Sequence, residues 1–195
     1  AQAGALVGTL AAQGYEQFIG VPPHLSLAQW FADPQYHDAR PCLSFLSGVE
    51  RIQVLFANGD KAVVGGFGVH DTSPLAVPVL NKSIPKLFEM LQKPLPQEVL
   101  ASNAWTYAYR FDALQRKLVD SNIARVFQGH RGSLLWVQSF VIRKIPRTER
   151  YLLTSEQLAE AYGKGACGGD EDSQIKSYFD PSGLYPYLAE LFKPF

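Results

Sequence analysis

Two cysteines and four histidines supply the side chains best suited to nucleophilic and acid–base chemistry in this chain. The candidates are Cys42, His37, His70 and His130. An aspartate directly follows both His37 and His70, and a carboxylate that orients an imidazole is one part of a Cys-His-Asp arrangement. Adjacent side chains on a strand point to opposite faces, so neither pair defines a site by itself. A hydrolase or transferase with a Cys/His site assembled by folding is therefore one alternative function.

Cys42 has a second interpretation, because Cys167 is the only other cysteine. In an exported protein the two thiols could close a disulfide, which would remove the candidate nucleophile, and the alternative is two unrelated thiols. The sequence begins Ala1-Gln2-Ala3-Gly4 without an initiator methionine, as a chain does after removal of a targeting segment. We therefore expect an exported protein, periplasmic or extracellular, or a protein of an organelle lumen.

The charge balance argues against nucleic acid as a partner. The 195-residue chain has 18 Lys and Arg residues and 18 Asp and Glu residues, so its formal net charge is zero and no overall field attracts a polyanion. Hydrophobic residues make up 47% and charged residues only 18%, which provides for one full core and a weakly charged surface. We expect a single domain over residues 1–195 that contacts another protein. The apolar run from Ala5 to Ala12 is too short to span a bilayer, so no transmembrane segment is expected.

The common cofactor and metal motifs are missing from the sequence. The glycines of residues 65–68 are followed neither by the Gly-Lys-Ser/Thr of a P-loop nor by a dinucleotide-binding pattern. No G-x-S-x-G and no H-E-x-x-H is present, and Asp170, Glu171 and Asp172 lack the spacing of a calcium loop. We expect no cofactor and no metal.

The fold is predicted from residues 51–70, where two β-branched runs flank Asn58-Gly59, the pair most typical of a hairpin turn. Residues 133–145 are apolar at both alternating sets of positions, which predicts a central strand covered on two faces. Apolar residues spaced by four and three predict the longest helix at about 97–121. The sequence thus predicts an α+β fold with an antiparallel or mixed sheet and several helices.

Local sequence patterns also predict structure toward the two ends of the chain. Residues 1–24 predict an N-terminal helix followed by a proline-rich link. Thr154 and Gln157 have the spacing of a capping box at the start of a helix. Residues 163–175 begin with the glycine-rich, acidic run GKGACGGDEDS, which predicts a flexible loop.

Four residues are candidates for an interaction surface. Trp105 and Tyr109 lie beside the apolar stripe of the predicted long helix, Tyr187 lies near the end of the chain, and Arg131 follows His130 in a glycine-bounded turn. The predicted function is that of a non-catalytic domain acting through protein–protein contacts. It would be a subunit of an envelope or organelle assembly, or an inhibitor or immunity-type partner. Besides the enzyme, a carrier of a small apolar ligand is the second alternative, and it requires a large cavity.

Overall fold

The structure of the chain is a computed structural model, which describes residues 1–67, 77–93, 97–101, 104–114, 121–163 and 169–187. Its strands are β1 (Val49–Phe56), β2 (Lys61–Val64) and β3 (Leu135–Ile142). They form one antiparallel sheet in the order β2-β1-β3, packed against helices. The predicted α+β class with an antiparallel sheet is confirmed.

Strands β1 and β2 form the predicted hairpin of residues 51–70, of which the structure describes the part up to residue 67. Gly59 has a φ of 86°, the left-handed conformation that this turn requires. The Asn58 side-chain oxygen accepts a hydrogen bond from the Asp60 N–H at 3.1 Å, which closes the turn. Alternate side chains of both strands are buried, so the hairpin has an inner face in the core and an outer face toward solvent.

Strand β3 is not the central strand that residues 133–145 predict, because β1 lies between β2 and β3. Trp136 and Val141 on its outer face are 66% and 53% exposed, so only one face of β3 is covered. A bulge at Gln138 shifts the alternation of side chains by one residue. The buried side chains are therefore those of Leu135, Val137 and Phe140.

The first residues of the chain pair with the outer edge of β3. The Phe140 N–H donates to the Ala1 carbonyl at 2.8 Å, and the Ala3 N–H donates to the Gln138 carbonyl at 3.0 Å. Gln2 and Ser139 form an antiparallel bridge between these two bonds. A short extended segment thus covers one half of the β3 edge.

The described residues also include seven α-helices. They are α1 (Val7–Ala12), α2 (Leu27–Ala32), α3 (Pro78–Met90), α4 (Gln97–Ala101), α5 (Ile123–Val126), α6 (Ser155–Gly163) and α7 (Asp170–Phe179). Within residues 1–24, where the sequence predicts an N-terminal helix and a proline-rich link, α1 comprises six residues and ends before Gly14, which has a φ of 83°. The predicted capping box opens α6, since the Thr154 N–H donates to Gln157 Oε1 and the Gln157 N–H donates to Thr154 Oγ1.

The single long helix predicted at 97–121 is wrong. Helix α4 ends at Ala101, residues 104–110 are irregular, and Phe111–Leu114 form a short 3-10 turn. The backbone N–H groups that a helix would pair internally have distant partners instead. The Trp105 N–H donates to the Ala39 carbonyl, and the Arg110 N–H donates to the Val126 carbonyl. Tertiary hydrogen bonds therefore override the helical periodicity of this segment.

The flexible acidic loop predicted at 163–175 is also wrong in its described part, where α7 begins at Asp170. Acidic side chains in the first turn of a helix are stabilised by the partial positive charge of the helix N-terminus. The buried carboxylate of Asp172 accepts hydrogen bonds from the N–H groups of Ala108 and Tyr109, at 2.9 and 3.3 Å. Residues 164–168, which include Cys167, lie outside the described residues.

The titration of Asp172 generates a prediction. Burial raises the pKa of its carboxyl to about 7; the two N–H donors oppose the shift and the charge of Glu171 adds to it. The folded state thus holds a proton that the unfolded state has lost, and the stability present below about pH 4 is lost as the pH rises to about 7. Asp172→Asn mimics the neutral carboxyl. Relative to the wild type, its free energy of unfolding should therefore rise by more than about 1 kcal/mol over this interval.

Urea unfolding at several pH values measures this effect. Asp170→Asn is the matched control, since Asp170 is an exposed carboxylate in the same helical turn. The change with pH in Asp172→Asn relative to the wild type should exceed the change in this control. Parallel pH curves for Asp172→Asn and the wild type would contradict the assignment of a neutral buried carboxyl.

Candidate functional site

A groove of about 900 Å³ lies beside the first half of β3. Residues Leu135–Val137, helix α2, Ala3 with Gly4 and the turn at residues 130–132 line it. Alanine, leucine, valine and aromatic side chains dominate its surface. The groove therefore has the mainly apolar lining that is typical of binding sites.

Helix α2 is fixed at both of its ends. Ser26 and Gln29 form a capping box, and the Ala28 N–H donates to the Ala3 carbonyl at 2.9 Å. At the other end, the N–H groups of Gly129 and Arg131 donate to the carbonyls of Phe31 and Ala32, at 2.9 and 2.8 Å. These bonds satisfy carbonyls that a helix C-terminus leaves unpaired. The turn that carries His130 and Arg131 is thus attached directly to the wall of the groove.

Arg131 adopts a backbone conformation that favours glycine, with a φ of 48°. Its guanidinium lies 3.8 Å from the Asp33 carboxylate, and these two side chains are 26% and 34% exposed. A contact of this length between partly exposed groups contributes little stability. Both charges stand at the groove, where a bound molecule can reach them.

His130 contributes a neutral hydrogen-bonding group to the groove. The residue is 4% exposed, and its Nδ1 accepts a hydrogen bond from the Gly132 N–H at 3.0 Å, so the ring hydrogen lies on Nε2. Burial lowers the pKa of His130 to about 4. The imidazole is uncharged near neutral pH and offers a donor, not a positive charge.

Trp136 is the most exposed aromatic residue of the described chain at 66%, and it lies on the groove. The sequence pattern did not single out Trp136, because a central strand at 133–145 would be covered on both faces, and strict alternation puts Trp136 on the same face as Phe140. The bulge puts these two side chains on opposite faces of the sheet. The polar pair Gln138-Ser139 within the apolar run was the signal of this interruption.

The predicted Cys/His residues lie in two environments. His37 is buried, its Nε2 donates to the Phe31 carbonyl, and burial lowers its pKa to about 3. Both His37 and His130 pack against the ring of Phe31. Cys42 belongs to a different cluster, where its N–H donates to the Asp112 carboxylate at 2.7 Å. Burial raises the pKa of the Cys42 thiol, and the charge of Asp112 adds to the shift while that of Arg110 opposes it.

These environments disfavour a nucleophilic cysteine, since the thiolate is the reactive form and a raised pKa depletes it. His70 and Cys167 lie outside the described residues. The catalytic role of His70 and the disulfide between Cys42 and Cys167 therefore stay predictions. Among the described residues no disulfide is present. The same part of the chain contains no group of three or more metal-ligating side chains and no helix of the length and apolarity that crossing a membrane requires.

Two of the predicted interaction residues are corrected by the structure. Trp105 and Tyr109 are 3% and 2% exposed, so neither is a surface anchor. The Trp105 indole N–H donates to the Tyr109 carbonyl, and the Tyr109 hydroxyl lies 3.0 Å from Ser133 Oγ. Tyr187 is 55% exposed and Arg131 lines the groove, and the interaction role of both stays a prediction.

Comparison of the chain with protein-family models, with curated proteins and with solved structures gave no match. A function for this chain is therefore inferred from its site alone.

The burial of His130 predicts a pH effect. Its pKa is lower in the folded state than in the unfolded state, so the unfolded state takes up a proton first as the pH falls. Stability present above about pH 6.5 is lost toward about pH 4. His130→Asn keeps an acceptor for the Gly132 N–H but does not titrate. Between about pH 6.5 and about pH 4, the free energy of unfolding of the wild type should therefore fall by at least about 1 kcal/mol more than that of His130→Asn.

Chemical unfolding at stepped pH values measures the slopes. His24→Asn is the control, because His24 is exposed. The change of slope in His130→Asn should exceed the change of slope in this control. Equal slopes for the wild type and His130→Asn would show that His130 is not held neutral.

The exposure of Trp136 predicts a fluorescence signature. The chain has three tryptophans, and Trp30 and Trp105 are 0% and 3% exposed. Iodide, which quenches only accessible indoles, should therefore quench Trp136 alone. In Trp136→Phe, most of the quenchable emission should disappear while the buried emission remains. Unchanged quenching in this variant would show that the outer face of β3 is covered.

Proposed function

We propose that the chain is a binding module that works through protein–protein contacts, with its contact surface centred on Trp136 and the groove beside it. The observation that carries the proposal is a tryptophan 66% exposed at a groove of about 900 Å³. An exposed aromatic side chain at an apolar concavity offers a bound partner a large contact area. The module would serve as a subunit of an envelope or organelle assembly, or as an inhibitor or immunity-type partner.

The composition of the groove supports this proposal. Trp136, Tyr36 and Arg131 all line it, and Trp, Tyr and Arg are the residue types most enriched among interface residues that dominate binding energy. On the outer face of the sheet, the exposed valines stand next to polar residues, since Val63 lies opposite Gln53 and Val141 lies opposite Arg51. The apolar contact surface is therefore limited to the groove and Trp136, where a partner could insert a side chain.

A carrier of a small apolar ligand is the second candidate, and one observation favours it. The groove volume of about 900 Å³ lies within the range of ligand pockets, about 300–1,000 Å³. The two candidates use the same residues, so the same variants distinguish them. The Cys/His enzyme remains a third, and the raised thiol pKa of Cys42 and the buried, neutral His37 and His130 weigh against it.

Affinity capture with two groove variants tests the proposal. Trp136→Ala removes the exposed indole, and Ala28→Trp fills the groove from helix α2. The wild type should retain a stoichiometric partner from its native source at moderate salt, and both variants should lose it at least about tenfold, as hot-spot changes do.

Two matched variants control for indirect effects. Val63→Ala truncates an exposed side chain on the same sheet face, and Ala12→Trp adds an exposed indole on α1. Both should capture the partner as the wild type does. Retention of the partner by Trp136→Ala and Ala28→Trp would overturn the proposal. An apolar small molecule that copurifies with the wild type and is lost from Ala28→Trp would establish the carrier instead.

A further inference from the structure

The outer edge of β3 has a regular orientation of backbone groups. In a strand of fixed direction, residues whose side chains share a face also turn their N–H and carbonyl groups toward the same edge. Phe140 has a buried side chain, and it exchanges backbone hydrogen bonds with Ala1 across the outer edge. Leu135 and Val137 also have buried side chains. Their N–H and carbonyl groups therefore point to the same outer edge.

The half of the β3 edge that contains Leu135 and Val137 opens on the groove. Leu135 and Val137 line it, and within the described residues no hydrogen bond across the outer edge reaches their backbone groups. Backbone N–H and carbonyl groups in protein interiors are nearly always paired. Leu135 and Val137 thus direct their backbone donors and acceptors toward this edge, at the two-residue spacing with which an added strand would pair.

The chain itself shows which kind of segment this edge accepts. Residues 1–3 pair with Gln138–Phe140 in an extended, antiparallel arrangement. At Gly4 the chain leaves the edge, and Ala3 and Gly4 form the end of the groove. An added strand that begins where residues 1–3 leave would continue the same pairing toward Leu135.

We propose that the occupant of the groove is an extended segment of a partner protein, which adds a strand to β3. Its backbone pairs with the N–H and carbonyl groups of Val137 and Leu135, and one apolar side chain enters the groove against Ala28 and Ala32 of α2. In strand addition the main-chain bonds supply affinity and the pocket supplies selectivity. This inference rests on the proposed function and specifies the kind of partner.

Selection from a library of random peptides displayed on phage provides the probe. Peptides are selected on the wild-type chain and counter-selected on Ala28→Trp, so that only peptides that need the groove are kept. Each peptide is then synthesised with a single N-methyl group at successive positions. N-methylation removes one backbone donor and places a methyl group against the neighbouring strand, so every second position should weaken binding about tenfold or more.

The outcomes separate this inference from the proposed function. Groove-dependent peptides with an alternating N-methyl pattern support strand addition. Groove-dependent peptides that tolerate N-methylation, or that show a period of three to four, overturn strand addition and leave the binding groove standing. If no peptide distinguishes the wild type from Ala28→Trp, or if the chain alone forms a dimer that Ala28→Trp abolishes, the inference fails. The capture experiment with Trp136→Ala then decides the proposed function separately.

Protection of Trp136 gives a second readout that does not depend on affinity. A bound strand at Leu135–Val137 should shield the exposed indole from iodide in the wild type. Ala12→Trp is the control for the added indole of Ala28→Trp. Both variants should keep the far-ultraviolet circular dichroism spectrum of the wild type, which shows that they are folded. Bound peptides that leave Trp136 fully quenchable would place the contact elsewhere and overturn the inference.

Discussion

The buried guanidinium of Arg110 is the interaction on which the arrangement around the groove depends. The residue is 6% exposed, and its guanidinium donates to the carbonyls of Asp38 and Arg40 and to both oxygens of Asp112. A buried charge is tolerated only when it is fully paired, and removal of one partner costs about 3–5 kcal/mol. The loop at 38–42 therefore cannot separate from the segment at 104–114. His37 precedes this loop and bonds the last turn of α2, which forms the wall of the groove.

The distance in sequence between hydrogen-bond partners explains which parts of the fold were predictable. The hairpin turn at Asn58-Gly59 and the capping box of α6 depend on residues that are close in sequence, so local patterns predict them. The segment from 104 to 114 has a helical spacing of apolar residues, but its backbone donors pair with Ala39, Val126 and Asp172. These acceptors are distant in sequence. Nothing within a local window signals that they will replace the internal bonds of a helix.

The candidate site was predicted only in part, for a related reason. His130 and Arg131 stand out in the sequence because glycines flank them, and the structure places both at the groove. Trp136 was hidden, since an apolar run looks the same whether its strand is central or lies at an edge of the sheet. One bulged residue decides which side chains face the core, and the strand order decides whether the opposite face is covered. Both depend on the pairing with β1, which a sequence pattern does not specify.

The exposed edge of β3 connects the fold to the proposed function. An edge strand with apolar side chains on its open face is a hazard, because it can pair with any extended chain. Residues 1–3 cover the half of the edge next to Phe140, and the other half lines the groove together with α2 and the turn at 130–132. These walls limit access to a segment that fits between them. The geometry that protects the edge from unspecific pairing is thus the same geometry that would select a specific partner strand.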